Sequence, residues 1–208
     1  MGEVMLNDTE IKKIASMHIS PRLQDVNLKK PLTMYHFFLD KVRLFYSFDP
    51  NSIIVEMRDG NIAGVLIYTY DDYAFSKFAG LKHFPFYIRL FKTLFFYYGF
   101  DFKKFFLAAK SMLGKNTNSD YIPDEKQLRA GKIWVLLVLE EYRRQGISLK
   151  LLNECIKQMR DAGKNIINVT VKKDNEPAVN VYKKFGFKIV GTCTESSGDS
   201  FIMQYEII

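Results

Sequence analysis

Cysteine is scarce in this 208-residue chain, with two residues, Cys155 and Cys193, and no CxxC pair. Metal and redox chemistry are therefore not expected. Long basic runs are missing too, and no zinc-finger or RNA-recognition motif occurs, so nucleic acid is not the expected partner despite a net charge of +7. Long apolar runs are missing as well: in the aromatic region the longest uncharged run is 93–100, far too short to cross a bilayer. The N-terminus lacks a basic and apolar signal peptide, and Leu6 stands where a myristoylation site needs Ser or Thr. A cytoplasmic location is the resulting expectation. No internal repeat is visible.

What is present fits one globular domain over 1–208, with 48% hydrophobic and 25% charged residues. Residues 1–70 carry 8 basic and 8 acidic side chains, so the positive excess falls on the rest, which favours an anionic small ligand or surface. Aromatics are uneven in the same way. Of the 18 Phe, 11 lie between 71 and 131, with 5 of the 12 Tyr, and this block reads as an insertion.

Hydrophobic periodicity predicts a short strand at 2–5, then a helix over 8–18 capped by Asn7 or Asp8, and a helix over 33–46 capped by Thr33. A hairpin follows, with strands 52–57 and 62–70 around Asp59-Gly60-Asn61. Inside the insertion, 85–98 and 102–113 read as helices and 114–131 as a loop returning to the sheet. Beyond it come strand 132–139, helix 147–161, strand 165–171, helix 177–185 and strands 187–195 and 200–207. This order predicts an α/β (α+β) sheet layered with helices. Cys155 shares a helix face with Leu151, Leu152 and Met159 and is expected in the core.

Two segments carry chemistry. In Arg143-Arg144-Gln145-Gly146-Ile147-Ser148, a basic, glycine-containing turn leads from the apolar run 133–139 into a helix. Free backbone N–H groups and the positive end of the helix dipole can hold a phosphate there, although a tight turn alone would explain the glycine. The second segment is Asp174-Asn175-Glu176-Pro177-Ala178, followed by 181–187. Pro177 suits a first helical turn, Asn175 or Glu176 a cap, and Gly186 a left-handed end with Phe187 folded over Tyr182.

Together these segments resemble the GNAT family, the Gcn5-related N-acetyltransferases. The first family signature matches at Arg143 and Gly146, while Ser148 replaces the small final residue and can still cap the helix. Glu140 stands where Pro is common. The second signature matches at Asn175, Ala178, Tyr182, Lys184, Gly186 and Phe187. The resemblance is strong over 132–208, looser over 1–70, and leaves 71–131 outside the common core.

The resemblance implies a mixed, mostly antiparallel sheet splayed between strands 132–139 and 165–171, with acetyl-CoA as co-substrate and no metal. It assigns the pyrophosphate to Arg143, Arg144, Gln145, Gly146, Ile147 and Ser148, the pantetheine to the strand edge near Val138, and further cofactor contacts to Asn175, Tyr182 and Lys184. Tyr182 becomes the general acid that protonates the leaving thiolate; packing on Phe187 is its structural alternative. The general base is not named: Glu140, Glu141, Asp71, Asp72, His83 and Glu56 are candidates beside a water relay, and His36 reads as structural. The expected acceptor is a small-molecule amine, with an amino sugar as one form. A protein N-terminus or lysine is the runner-up, and a non-catalytic acyl-CoA sensor the alternative outside enzymes. The insertion reads first as helices packed on the sheet. A lid over the acceptor, a membrane-surface contact through 85–113 and a homodimer contact are its other readings.

Overall fold

The computed structural model describes residues 6–18, 31–82, 118–120, 129–195 and 198–207. Helix α1 (Asp8–Met17) starts at a capping box in which Asn7 accepts from the Glu10 amide and Glu10 accepts from that of Asn7. Helix α2 (Pro31–Phe48) begins two residues ahead of the predicted cap, so Thr33 lies inside it. Proline at the first helical position, with φ already set and no N–H to satisfy, explains the earlier start.

Strands β1 (Ile53–Arg58) and β2 (Asn61–Thr69) form the predicted hairpin. Asp59 and Gly60 alone make its turn, both left-handed at φ 48° and 72°, which suits the twist of a two-residue connection. Asn61, expected in the turn, is already paired with Arg58. Helix α3 (Asp72–Lys82) occupies the start of the insertion, where the sequence reading placed no helix. Strand β3 (Asn118–Ser119) lies in the stretch read as a loop and pairs with the far end of the sheet. The predicted helices 85–98 and 102–113, the strand at 2–5 and His83 lie outside the described residues.

The remaining elements follow in the predicted order: β4 (Gly131–Val138), α4 (Ile147–Asp161), β5 (Ile166–Lys172), α5 (Glu176–Phe185), β6 (Lys188–Glu195) and β7 (Gly198–Glu206). The sheet runs β1-β2-β4-β5-β7-β6-β3, and of its pairings only β4 with β5 is parallel. This is the mixed, mostly antiparallel sheet that was expected. Helices α4 and α5 cover one face, where Leu151, Leu152, Cys155 and Met159 meet Leu66, Ile133, Ile167 and Met203. Cys155 is wholly buried there, as its helix face predicted. Helices α1, α2 and α3 cover the other face over β1, β2 and β4, with Phe45 stacked on Phe75 and both near Trp134.

Candidate active site

The parallel ladder between β4 and β5 has three rungs: Gly131 with Ile167, Lys132 with Asn168, Ile133 with Val169. Beyond Ile133 the two strands part. β4 stays with β2 as far as Val138 opposite Gly64, and β5 stays with β7 as far as Lys172 opposite Ser200. The parting coincides with a bulge. Ile67 faces Val135 and Tyr68 faces Ile133, so Trp134 is an extra residue on β4, and such an insertion bends a strand and increases its twist. The splay therefore lies where the resemblance put it. Residues 134–138 of this central strand are all half-buried, whereas 62–69 on the neighbouring β2 are all buried. A strip of β4 edge thus faces an open notch in the middle of the sheet.

The notch ends at the basic turn. After a single 3-10 turn (Glu140–Tyr142), Arg144 and Gly146 both take left-handed backbone, at φ 61° and 77°. The latter conformation is natural for glycine and turns the chain into α4. No side chain caps that helix; its first internal bond is Lys150 N–H to Gly146 O, 3.0 Å. The N–H groups of Ile147, Ser148 and Leu149 consequently have no helical carbonyl to meet. Ser148, expected to serve as a cap, is the second helical residue and caps nothing. Arg143 Nε donates to Val138 O (3.4 Å) and Gln145 Nε2 to Glu141 O (3.2 Å), so two side chains brace the turn itself. Ile147 anchors it in the core, while Arg143, Arg144, Gln145 and Gly146 are exposed. A Cβ at Gly146 would meet nothing within 4 Å, leaving room for a bulky anion in front of the helix end.

The second segment forms α5 as its residues dictate. Asn175 Oδ1 accepts from the Ala178 amide (3.3 Å), Pro177 lies in the first turn, and Gly186 ends the helix at φ 114°. Phe187 returns its amide to Tyr182 O, and the two rings meet edge to face at 5.2 Å. Tyr182 itself is 4% exposed and packs in one cluster with Ile147, Leu151 and Cys155. Burial pushes its phenol well above the ordinary tyrosine range. Lys184 is exposed, in the last turn beside Lys183, where a cation suits the helix dipole.

The candidate bases separate sharply. Glu56 is buried on β1, two strands from the notch, and is held by Lys150 (2.7 Å) and Arg58 (3.2 Å). Asp71 caps α3 by accepting from the Ala74 amide, and lies 3.8 Å from Lys164. Glu140 and Glu141 are exposed beside the turn, and His36 is exposed on α2. Asp72 alone of the described candidates touches the foot of the notch: its Oδ2 is 3.3 Å from Nζ of Lys132, which also lies 4.1 Å from the Trp134 ring. The sequence reading named neither Lys132 nor Trp134. Their alternate positions on the motif strand, facing away from α4, were the available signal.

A separate groove of about 930 Å³ runs between β1 and α4, lined by residues such as Ile54, Glu56, Leu149 and Lys157. It reaches Gly146 at one end but lies on the β1 side of α4, away from the notch. Among the described residues no group of three or more His, Cys, Asp or Glu is placed to hold a metal ion, and no helix is long and apolar enough to cross a membrane.

Residues 115–187 match the family model described as Acetyltransferase (GNAT) family. An N-alpha-acetyltransferase of Sulfurisphaera tokodaii is 39% identical over 64 residues, 30% of this chain and 38% of the relative. A mycothiol acetyltransferase of Corynebacterium aurimucosum is 34% identical over 59 residues, 28% of this chain and 19% of the relative. The chain thus spans less than half the length of either relative. A solved structure described as an acetyltransferase has the same fold, with a TM-score of 0.60 at 20% identity, covering 98% of each chain.

Proposed function

We propose that the chain, whose residues 115–187 match the GNAT acetyltransferase family model, transfers an acetyl group from acetyl-CoA to a primary amine. The observation that carries this reading is the continuous path from the uncapped N-terminus of α4 down the unpaired edge of β4. A diphosphate suits the first element and an extended amide chain suits the second. Backbone N–H groups of the 143–148 turn would hold the pyrophosphate, with Arg143 and Arg144 adding positive charge. The β4 edge up to Val138 would pair with the amides of the pantetheine arm. Asn175 and Lys184 belong to the same proposed cofactor region.

Acetyl-CoA supplies the acetyl group as a thioester. The amine nitrogen attacks its carbonyl carbon, a C–N bond forms, and the C–S bond breaks. Tyr182 gives its phenolic proton to the departing thiolate, and the proton lost by the amine passes to solvent or to a base. Burial keeps the phenol protonated at neutral pH, so the proton is in place, while the same shift makes it a weaker acid.

For the acceptor we propose a small-molecule amine, with an amino sugar as one form. The aromatic-rich composition of the block that precedes β4 supports a dedicated small pocket over an open peptide groove. A protein N-terminus is the second reading, favoured by the name of the Sulfurisphaera relative. Release of free thiol from acetyl-CoA across a panel of amino sugars, polyamines and short peptides tests both. Tyr182→Phe should keep acetyl-CoA affinity and lose about a hundredfold in turnover. Tight CoA binding with no transfer to any amine would instead make the chain an acyl-CoA sensor.

A further inference from the structure

Helix α4 rests on the sheet over two buried glycines, one near each of its ends. A Cβ at Gly64 on β2 would lie 2.8 Å from Cγ2 of Ile147 and 3.1 Å from Cδ1 of Leu151, at the start of the helix. A Cβ at Gly131 on β4 would meet Met159 in its last turn, with Sδ at 2.8 Å. Each would also approach one carbonyl, Leu137 O at 3.1 Å and Thr69 O at 3.2 Å respectively. The two positions are therefore alike on the sheet side and differ on the helix side. Met159 offers the far end of an unbranched side chain, which can swing aside. Ile147 offers a methyl one bond from its Cβ, on a side chain with one strongly preferred rotamer in a helix. It is 2% exposed, so the close-packed core leaves it no room to turn. A methyl at Gly64 must then lift the backbone of the first turn, whereas one at Gly131 need only move a thioether. The last turn also has an anchor of its own, the Tyr68 hydroxyl donating to Gln158 Oε1 (2.5 Å).

Gly64 has a place in the notch as well. It pairs with Val138, the last residue of β4. One residue thus adjoins both parts of the proposed cofactor path: beside it runs the β4 edge, and over it sits the turn whose N–H groups at 147–149 find no helical carbonyl. We propose that Gly64 is a positioning residue for the acyl donor. Having no side chain, it seats the first turn of α4 at the height where that turn and the β4 edge receive one ligand, the diphosphate on the former and the amide arm on the latter. The covalent length of the ligand fixes the distance between the two parts, so a displaced turn cannot serve both well. Gly64 touches neither the donor nor the reacting atoms; it acts through Ile147. The assignment rests on the acetyl-CoA reading.

The test compares acetyl-CoA with S-acetylpantetheine, which keeps the amide arm and lacks the diphosphate, by amide NMR titration of the full chain. Gly64→Ala should weaken acetyl-CoA binding about tenfold and change that of S-acetylpantetheine less than about twofold. Gly131→Ala should leave both close to wild type. Ile147→Leu removes the Cγ2 methyl at nearly equal volume, so in that background Gly64→Ala should cost less than about threefold in acetyl-CoA affinity. A merely structural glycine would give equal losses for the two donors, or equal losses in Gly64→Ala and Gly131→Ala, and either result overturns the proposal. So does a full loss that persists in the Ile147→Leu background. Should Gly64→Ala alone fail to fold, the double variant decides: recovery of the fold and of acetyl-CoA binding supports the assignment, and failure of either overturns it. Wild type that binds neither donor sinks the acetyl-CoA reading and this assignment with it. Wild type that prefers acetyl-CoA, with no response to Gly64→Ala, sinks this assignment alone.

Discussion

Ile133 pairs with Val169, and no residue after either of them joins β4 to β5. One rung thus separates a closed sheet from an open one. The N–H and C=O groups on the β5-facing edge of 134–138 have no strand partner, and an unpaired edge is a template for any extended amide chain. Amide hydrogen exchange reads this directly. In the free protein, amides on that edge should exchange faster than those of β5, which is laddered to β7 along its length. Saturation with CoA should slow them within 134–138 and leave β1 unchanged. Protection confined to the β1–α4 groove would place the ligand elsewhere and remove the basis for the notch reading.

Much of this was readable from the residues because local chemistry decided it. Gly186, Pro177 and Asn175 each have one favourable position in a helix, and all three took it. Helix 147–161 was found residue for residue, since its apolar stripe is continuous and Gly146 marks its start. The notch was implied by family resemblance and not by pattern, because a strand that parts from its neighbour has the same apolar residues as one that does not. Thr33 misled because a Thr before an apolar run resembles a cap, while Pro31 two residues earlier was the stronger signal. The Asp72–Lys132 contact joins residues 60 apart and depends on how α3 meets β4, which no local spacing encodes. The base candidates could be sorted only once the strands had an order.

The buried phenols set the expected pH behaviour. Tyr182 and Tyr68 are both pushed above the ordinary tyrosine range, burial being the larger cause in each. For a general acid this keeps the proton in place. The rate should therefore rise with pH as the amine loses its proton, with no falling limb from Tyr182 below about pH 10. Stability follows from the same shift. The unfolded chain releases these protons near pH 10 and the native chain holds them longer. The stabilisation is thus complete below pH 10 and is lost as pH rises beyond it. A thermal melt series from pH 7 to 11 alongside the rate profile tests both. A rate that falls between pH 8 and 9 while the melting temperature is unchanged would rule out Tyr182 as the acid.

Gly146 and Gly186 offer a paired test of what the turn is for. Both have positive φ, 77° and 114°, so alanine at either position strains the backbone by about 1 kcal/mol or more. Their surroundings differ. A Cβ at Gly186 would come within 3.2 Å of Cε2 of Tyr205, which packs on Phe185 and Phe187, so Gly186→Ala adds crowding to strain. A Cβ at Gly146 would enter open space and pays the backbone cost alone. Thermal denaturation should accordingly rank Gly186→Ala as the less stable variant. Affinity for CoA should rank them the other way. The open space before Gly146 is where the pyrophosphate is proposed to sit, so a methyl group there meets the ligand, whereas the end of α5 at Gly186 can lose stability without altering the turn. The expected result is weaker CoA binding in Gly146→Ala, with Gly186→Ala close to wild type at a temperature where both are folded. Equal affinity in the two variants would mean that the 143–148 turn serves only to start α4.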